Sequence, residues 1–469
     1  MRAAGILAAV LLATACTATV PFPLPRRSPP VTAPGELAPR TISGPSPIAS
    51  CGGTDQLVNA PEEPTLAVDP SDQTHLVAAW QQDRRPGGAA YGAAVAVSRD
   101  AGASWKASML PDLARCAGGP YGLVSDTWAS VGPDHTAYVS TLAITTGRPL
   151  GYSVVVSTSR DGGRSWAAPV VLATASPPLA LLDKPSILAD PRKPGRVYAV
   201  WARFPGSTGN AGDQVFFSRS DDHGASWSTP AALTAGGAVE TQNNELVTPA
   251  DGVLLDVFSQ GAPLQSGHQG QVGVLRSTDG GRTWAAPATI ASFAITQTTD
   301  PDTGRTIRAF GQDVAAAAGG GWAYAAWFEN RRDGSSAIWT SGSSDGGRTW
   351  SEASPVVEEA AQPFLPALAV AGDGRLGVTW YDLRDAAAGP GLGTQVWAGT
   401  SADHGRTWRS RQLDRPFDLH AAPVATGEGP FIGDYEGLVG LGTVFAAAYV
   451  RTTAAGTANR TEIAFARFA

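Results

Sequence analysis

"SRDGGRSW", Ser159 to Trp166, crowds an aspartate and two glycines into a length that suits a tight turn, and it closes on a tryptophan. The stretch returns as SRDAGASW ending at Trp105, SDDHGASW at Trp227, STDGGRTW at Trp284, SSDGGRTW at Trp350 and SADHGRTW at Trp408. Six copies of Ser-x-Asp-x-Gly-x-Ser/Thr-Trp mark a repeat architecture before any other feature is weighed. Their aspartates, Asp100, Asp161, Asp222, Asp279, Asp345 and Asp403, stand 61, 61, 57, 66 and 58 residues apart, the length of a four-stranded sheet with its turns. Within each copy the carboxylate can accept from backbone N–H groups and the Ser/Thr hydroxyl, while the glycine admits positive φ. The tryptophan then buries an apolar face beside the turn. The six aspartates are therefore read as structural.

A second repeat precedes each turn: an extended apolar segment, a short turn, and another apolar segment often ending in an aromatic. EPTLAVDPSDQTHLVAAW begins at Glu63, and counterparts begin at Asp126, Asp183, Asn244, Gln312 and Phe364. A seventh, from Asp434, has no Asp turn after it, and the chain ends on one more strand, TEIAFARFA. Seven hairpins and six Asp turns agree if the last sheet takes its outer strand from the N-terminal side, which removes the open sheet edges. The expectation is an all-β β-propeller of seven four-stranded blades, with six as the alternative. The closing strand is placed at Asp55–Asn59, DQLVN.

Composition fits this fold. Gly (55) and Pro (36) are abundant and no long helical periodicity occurs, so turns dominate among the 469 residues. A net charge of −7 without a basic face excludes nucleic-acid binding. Arg2, the apolar run from Ala3 to Leu12 and Ala13-Thr14-Ala15-Cys16 form an export signal. It resembles a bacterial lipoprotein signal over residues 1–16 with Cys16 as the lipidated residue, the plain alternative being an ordinary secretory signal. Nine prolines from Pro21 to Pro47 describe an extended stalk over 17–50, leaving 51–469 for the propeller. With Cys16 taken by lipid, Cys51 and Cys116 are expected to form a disulfide in an exported chain. The protein is thus expected to be a monomer on the extracellular face of the cell membrane, touching the membrane only through its lipid.

In such blades the Asp turns, between the third and fourth strands, occupy one face, and the entries to the innermost strands open on the other. At those entries stand Glu62 and Glu63, Asp126, Asp183 with Lys184, Asn243 and Asn244, Asp313, and Asp434 with Tyr435 and Glu436. After the second strands come Asp83-Arg84-Arg85, Arg203, Arg331-Arg332, Asp382-x-Arg384 and Arg451. Carboxylates can serve as general acid and base, and arginines grip anionic groups bidentately, so this mixed ring is the candidate site. The candidate catalytic residues are Asp126, Asp313, Asp434, Tyr435 and Glu436. The candidate substrate-binding residues are Glu63, Arg85, Asp183, Arg203, Arg332 and Arg384. The competing reading is that acids and arginines pair and hold neighbouring blades together. Histidines are scattered without a metal-ligand spacing, no phosphate loop or nucleophile elbow occurs, and no cofactor is expected, although the acidic ring could hold calcium.

The six turns resemble the Asp-box (BNR) repeats of the sialidase superfamily, and the resemblance covers the chain after the stalk. It implies the propeller fold; sialidase activity does not follow, because related repeats occur in xyloglucanases, sortilin-type receptors and photosystem assembly factors. Sialidases use an arginine triad, a Tyr–Glu nucleophile pair and an Asp acid/base. Here Glu62-Glu63-Pro64 replaces the first arginine's motif, PGGAAYG from Pro86 lacks the expected Asp, Asn243 stands for the Glu, and Ser259-Gln260 replaces a further arginine. Tyr435 alone keeps its family role. The resemblance implies a surface propeller that recognises a glycan or glycoconjugate and hydrolyses it as an exo-glycosidase. The alternative is a non-catalytic propeller that binds glycan or protein.

Overall fold

The computed structural model describes residues 35–206, 213–234, 240–261, 269–294, 297–310, 314–330, 336–359, 362–384, 386, 391–425, 429–453 and 460–469. Cys16, Asp313, Arg331 and Arg332 lie outside them. Strands and turns make up the described chain, apart from the single-turn 3-10 segments Arg115–Ala117 and Leu419–Ala421. No helix among the described residues is long and apolar enough to cross a membrane.

Among the described residues the strands form antiparallel sheets of four strands, two such groups being joined into one eight-stranded sheet through Ala90 and Val124, and seven innermost strands can be followed from group to group. The innermost strands are Glu62–Asp69, Leu123–Val131, Ala180–Ala189, Glu240–Val247, Val314–Gly319, Phe364–Val370 and Gly437–Leu441. Each packs against the next, and the seventh returns to the first. Alternation sends small apolar residues to both flanks of each blade, so one blade's flank becomes the next blade's core. Ala67, Val77, Ala79 and Val95 of the first blade meet Val124, Ala129, Val131 and Val139 of the second.

The seventh unit consists of Gly437–Leu441, Val444–Thr452, Thr461–Phe468 and, outermost, Leu37–Thr41. Leu37 pairs with Arg467 and Thr41 with Ala464, and the Ile42 N–H donates to the Ile463 carbonyl at 2.8 Å. An N-terminal strand closes the ring, but it is not Asp55–Asn59, and it lies inside the segment assigned to the stalk. Pro39 hid it, although an outermost strand tolerates proline because one row of its N–H groups faces away from the ladder. Residues 55–59 are used elsewhere. Leu57 N–H donates to the Arg84 carbonyl, Asn59 N–H donates to Asp83, and Asn59 adopts φ 60°, which breaks an extended run. The Cys51–Cys116 disulfide ties this connecting segment to the loop between the first two blades.

All six Asp turns share one geometry. In the second, Ser159 Oγ donates to Asp161 Oδ1 at 2.8 Å, Ser165 N–H to the same oxygen at 2.9 Å, and Ser165 Oγ to Oδ2 at 2.6 Å. Equivalent bonds surround Asp100, Asp222, Asp279, Asp345 and Asp403. The hydroxyl of Thr407 and its backbone N–H hold Asp403 down to about 2. The glycine is obligatory at Gly102, where φ is 89° and a Cβ would come 2.2 Å from the Phe465 ring of the seventh blade. Trp105 packs edge-on to the same ring, centroids 5.0 Å apart. Arginines at or just before three of the turns link each to the turn of the following blade: Arg99 donates to the Gly162 carbonyl, Arg219 to Gly280 and Arg276 to Gly346.

Candidate functional site

At the ends of the innermost strands remote from the Asp turns, five blades carry the same irregularity. The register slips between Glu62 and Thr65, Ser125 and Trp128, Asp183 and Ser186, Gln242 and Glu245, and Phe364 and Ala367. Inside each slip one non-glycine residue takes left-handed φ: Glu63 at 54°, Asp126 at 49°, Lys184 at 49°, Asn243 at 53° and Leu365 at 51°. These are β-bulges, each residue carrying a strain of roughly 1–3 kcal/mol that the surrounding sheet sustains. A bulge re-aims its side chain, and here it breaks the in–out alternation at the mouth of the central channel.

Lys184 is the hub. Its Nζ lies 2.5 Å from Asp434 Oδ2 and 3.5 Å from Asp126 Oδ1, so three blades meet at one ammonium. The same Asp434 oxygen accepts from Arg308 Nη2 at 3.3 Å, and the Asp434 N–H donates to Glu63 Oε1 at 3.2 Å. Gln81 donates to the other Glu63 oxygen, and Arg84 Nη1 donates to Glu62 at 2.9 Å. Arg84 and Arg308 also flank the Phe431 ring, 3.9 and 4.3 Å from its centroid. Beside Lys184 opens a small cleft lined by Asp126, Trp128, Asn243, Asn244, Glu245, Asp434 and Tyr435. The Trp128 and Tyr435 rings stand 5.2 Å apart on its wall. The buried Asn244 amide has no partner among the described residues at either its oxygen or its nitrogen.

Opposed electrostatics divide the acids. Burial pushes Asp434 up, but Lys184 and Arg308 outweigh it and hold the carboxyl down to about 2. Burial, reinforced by the charge of Asp126, pushes Asp183 up to about 7. Burial pushes Glu63 up to about 8 against the pull of Lys184, and Glu245 likewise to about 8. Burial and the nearby Glu63 carboxylate raise the Tyr435 hydroxyl well above its ordinary value. The cavity therefore presents ionised Asp434 beside Glu245, which holds its proton near neutrality, the division general acid–base chemistry requires, while Glu63 and Asp183 stand within electrostatic reach of Asp434.

The structure brings together Glu63, Asp126, Asp434 and Tyr435, couples Asp183 to them, and sets Glu436 deeper in the channel wall, where its Oε1 accepts from the Val450 N–H at 3.3 Å. It does not bring the arginines with them. Arg85 donates to Asp55 at 2.6 Å, Arg203 lies 6.0 Å from the Phe216 ring, and Arg384 donates to Asp382 at 2.6 Å while covering the Trp397 ring. None of these three lines the cavity. Arg85 and Arg384 pair with a carboxylate, as the competing reading of the ring anticipated, but neither of these pairs ties one blade to its neighbour. Arg451 likewise bonds Asp414 and Glu462.

Sequence reasoning missed Arg308, Trp128 and Glu245. Arg308 sits on Thr306–Phe310, paired with Gln297–Thr299 in an extra hairpin between the fourth and fifth blades. That hairpin reaches the loop before the seventh blade, where His420 meets Asp300 at 2.9 Å. Two signals pointed to it: the interval of 66 between Asp279 and Asp345, longest of the five, and the turn sequence DPDTG from Asp300.

No protein-family model and no curated protein matches the chain. Among solved structures, a mutant α-L-arabinofuranosidase from Fusarium graminearum in complex with an iminosugar inhibitor aligns with a TM-score of 0.51 at 12% identity, over 92% of this chain and 98% of that one. The Penicillium chrysogenum α-L-arabinanase complexed with arabinobiose gives 0.48 at 15% identity over 92% and 98%. The NanB sialidase from Streptococcus pneumoniae gives 0.44 at 10% over 88% and 93%. At such identities the likeness is one of fold: the chain shares the β-propeller fold of this arabinofuranosidase.

Proposed function

We propose that the protein is an exported glycan-acting propeller whose channel-mouth cavity takes the end of a neutral saccharide and cleaves it. The observation that carries this reading is the Asp126–Lys184–Asp434 cluster. Both carboxylate oxygens contact one ammonium, which places them within about 6 Å of each other. That is close to the separation of roughly 5–5.5 Å at which two carboxyl groups flank a glycosidic bond in retaining hydrolysis. Asp434, held ionised, serves as nucleophile and Asp126, across the ammonium from it, as the acid–base partner, while Glu245, which lines the same cavity and is pushed up to about 8, is the further carboxyl that keeps a proton near neutrality. Trp128 and Tyr435 offer apolar faces for a sugar ring, and the Asn244 amide offers a donor and an acceptor to its hydroxyls. A neutral substrate is preferred because Lys184 and Arg308 already serve Asp434, leaving no arginine clamp for a sugar carboxylate among the described residues of the cavity.

The test is turnover of a panel of aryl glycosides, neutral pyranosides and furanosides together with sialosides, between pH 4 and 8. Neutral substrates should be cleaved, and Asp126→Asn and Asp434→Asn should each lower kcat by roughly 10²–10⁴. Tyr435→Phe, which keeps the ring, should retain binding and reveal whether the hydroxyl acts in turnover. The internal neutralisation of Asp434 by two cations favours a second reading, a propeller that binds glycan without cutting it. Binding on a glycan array with no release of any aglycone would select that reading, and failure of both would remove the carbohydrate assignment. Anchoring through Cys16 is part of the proposal. Cys16→Ser should release the protein from the membrane fraction, and an unchanged distribution would refute the anchor.

A further inference from the structure

On the Asp-turn face, remote from the cavity, three side chains converge across the seam between the first two blades. Asp69 ends the innermost strand of the first blade, His75 lies on the next strand, and His135 sits in the turn before Ala137–Thr145 of the second blade. Asp69 and His75 are fully buried, whereas the His135 side chain is 55% exposed. One ligand atom from each lies within 4.8 Å of the other two.

The hydrogen bonds around the cluster orient it. His75 Nε2 lies 3.1 Å from the Gly162 carbonyl oxygen, which can only accept, so that nitrogen carries a proton. Nδ1 of the same ring then faces Asp69 Oδ2 at 3.0 Å, and His135 Nδ1 faces this oxygen at 2.5 Å. Three ligand atoms from two blades thus converge at one point of the seam, two of them on fully buried side chains. The other Asp69 oxygen, Oδ1, accepts from the N–H groups of Ser71 at 2.8 Å and Asp72 at 3.2 Å, which fixes the carboxylate with Oδ2 turned to the two imidazoles. A buried imidazole whose remote N–H donates to a backbone carbonyl, and a carboxylate held by backbone donors, are the supports that metal-ligating side chains receive.

We propose that Asp69, His75 and His135 form a binding site for a zinc-class divalent transition metal that clamps the first blade to the second. Asp69 Oδ2, His75 Nδ1 and His135 Nδ1 are the three protein ligands. Water completes a four-coordinate sphere on the side where His135 is open to solvent. A proton held on a ligating Nδ1 leaves to solvent as the metal binds. Only His135 needs to move outward to reach metal–ligand spacing, and as an exposed turn residue it is free to do so. The seam already depends on His75 and Arg99, both of which bond the Gly162 carbonyl of the second Asp turn. The site is independent of the glycan reading, since it shares no residue with the cavity.

The experiment uses tag-free full-length protein stripped with chelator and titrated with Zn2+ calorimetrically and with Co2+ by visible absorption. The expected result is one equivalent bound, release of protons, Co2+ bands of four-coordinate intensity, and an upward shift of the melting temperature. His135→Asn keeps a residue that tolerates the left-handed backbone there, φ 67°, and removes the imidazole. It should lower affinity at least tenfold while the metal-free protein melts as before. His75→Gln, if folded, should abolish the Co2+ bands. No binding at millimolar Zn2+, or equal affinity in wild type and His135→Asn, would overturn the site.

Discussion

Lys184→Met removes the ammonium at the centre of the acidic cluster while preserving most of the stem's packing. The lost contacts, 2.5 Å to Asp434 and 3.5 Å to Asp126, amount to ~7 and ~5 kcal/mol in gross Coulomb energy at an effective dielectric of about 20. Desolvation of the lysine offsets most of this, and breaking a buried pair leaves a net loss of about 3–5 kcal/mol. The pH dependence is the sharper readout. In the wild type Asp434 is held at about 2, below its unfolded value of about 3.9. Its contribution is therefore complete above that unfolded value and is lost as pH falls through about 2. Without Lys184 burial of Asp434 is opposed by the arginines alone, so its carboxyl rises, and Glu63 and Asp183, which Lys184 also pulls down, rise further; a raised carboxyl stabilises the fold only at low pH, losing its contribution as pH rises through the folded pKa. Urea unfolding at pH 5 and pH 8 should show a larger deficit at pH 8. A deficit below about 1 kcal/mol at pH 8, or one equal at both pH values, would mean that the lysine does not govern the cluster.

Deleting residues 1–42 should remove the closing strand, cost about 3–6 kcal/mol in hydrogen bonds and burial, and promote aggregation through the bared edge of Thr461–Phe468, whereas deleting residues 1–34 should leave the melting curve unchanged. Coincident melts of the two truncations would refute the assignment of closure to Leu37–Thr41. Asp161→Ala should lower stability by about 1–3 kcal/mol without altering ligand affinity, and a binding defect with an intact melt would contradict the separation of the two faces. Replacing Cys51 and Cys116 by serine opens a link across 65 residues, for which chain entropy gives about 4 kcal/mol; a change in unfolding free energy below about 1 kcal/mol would show that the connecting segment is held by its hydrogen bonds alone.

What the sequence made legible was local. The Asp turn carries its donors, acceptor and glycine within eight residues, so it announces itself, and the hairpins before it announce the blades. Closure was misplaced because Leu37-Ala38-Pro39-Arg40-Thr41 reads as stalk until a partner strand is known. The left-handed conformations of Glu63, Lys184 and Leu365 leave no mark, because none is the glycine, asparagine or aspartate that usually signals them. Asp126 and Asp434 reach the cavity because their position before an innermost strand sets their place. Arg85 and Arg384 lie away from it because a long side chain reaches whichever carboxylate is nearer, as Arg384 reaches Asp382 two residues away. Arg308 crosses from an insertion, and neither hairpin nor Asp-turn periodicity extends to insertions.

The bulges give the ring a modular chemistry. Five blades hold out one residue each on the same backbone fixture, filled by glutamate, aspartate, lysine, asparagine and leucine. Because the fixture is made by sheet register and not by the side chain, an exchange is felt through the side chain's own partners, as at Lys184, and not through the backbone of the blade beneath. Such a face resembles a keyboard more than a pocket. A library confined to positions 126, 184 and 243, which line the cavity, would vary its chemistry while leaving the six Asp turns, and the scaffold they fasten, untouched.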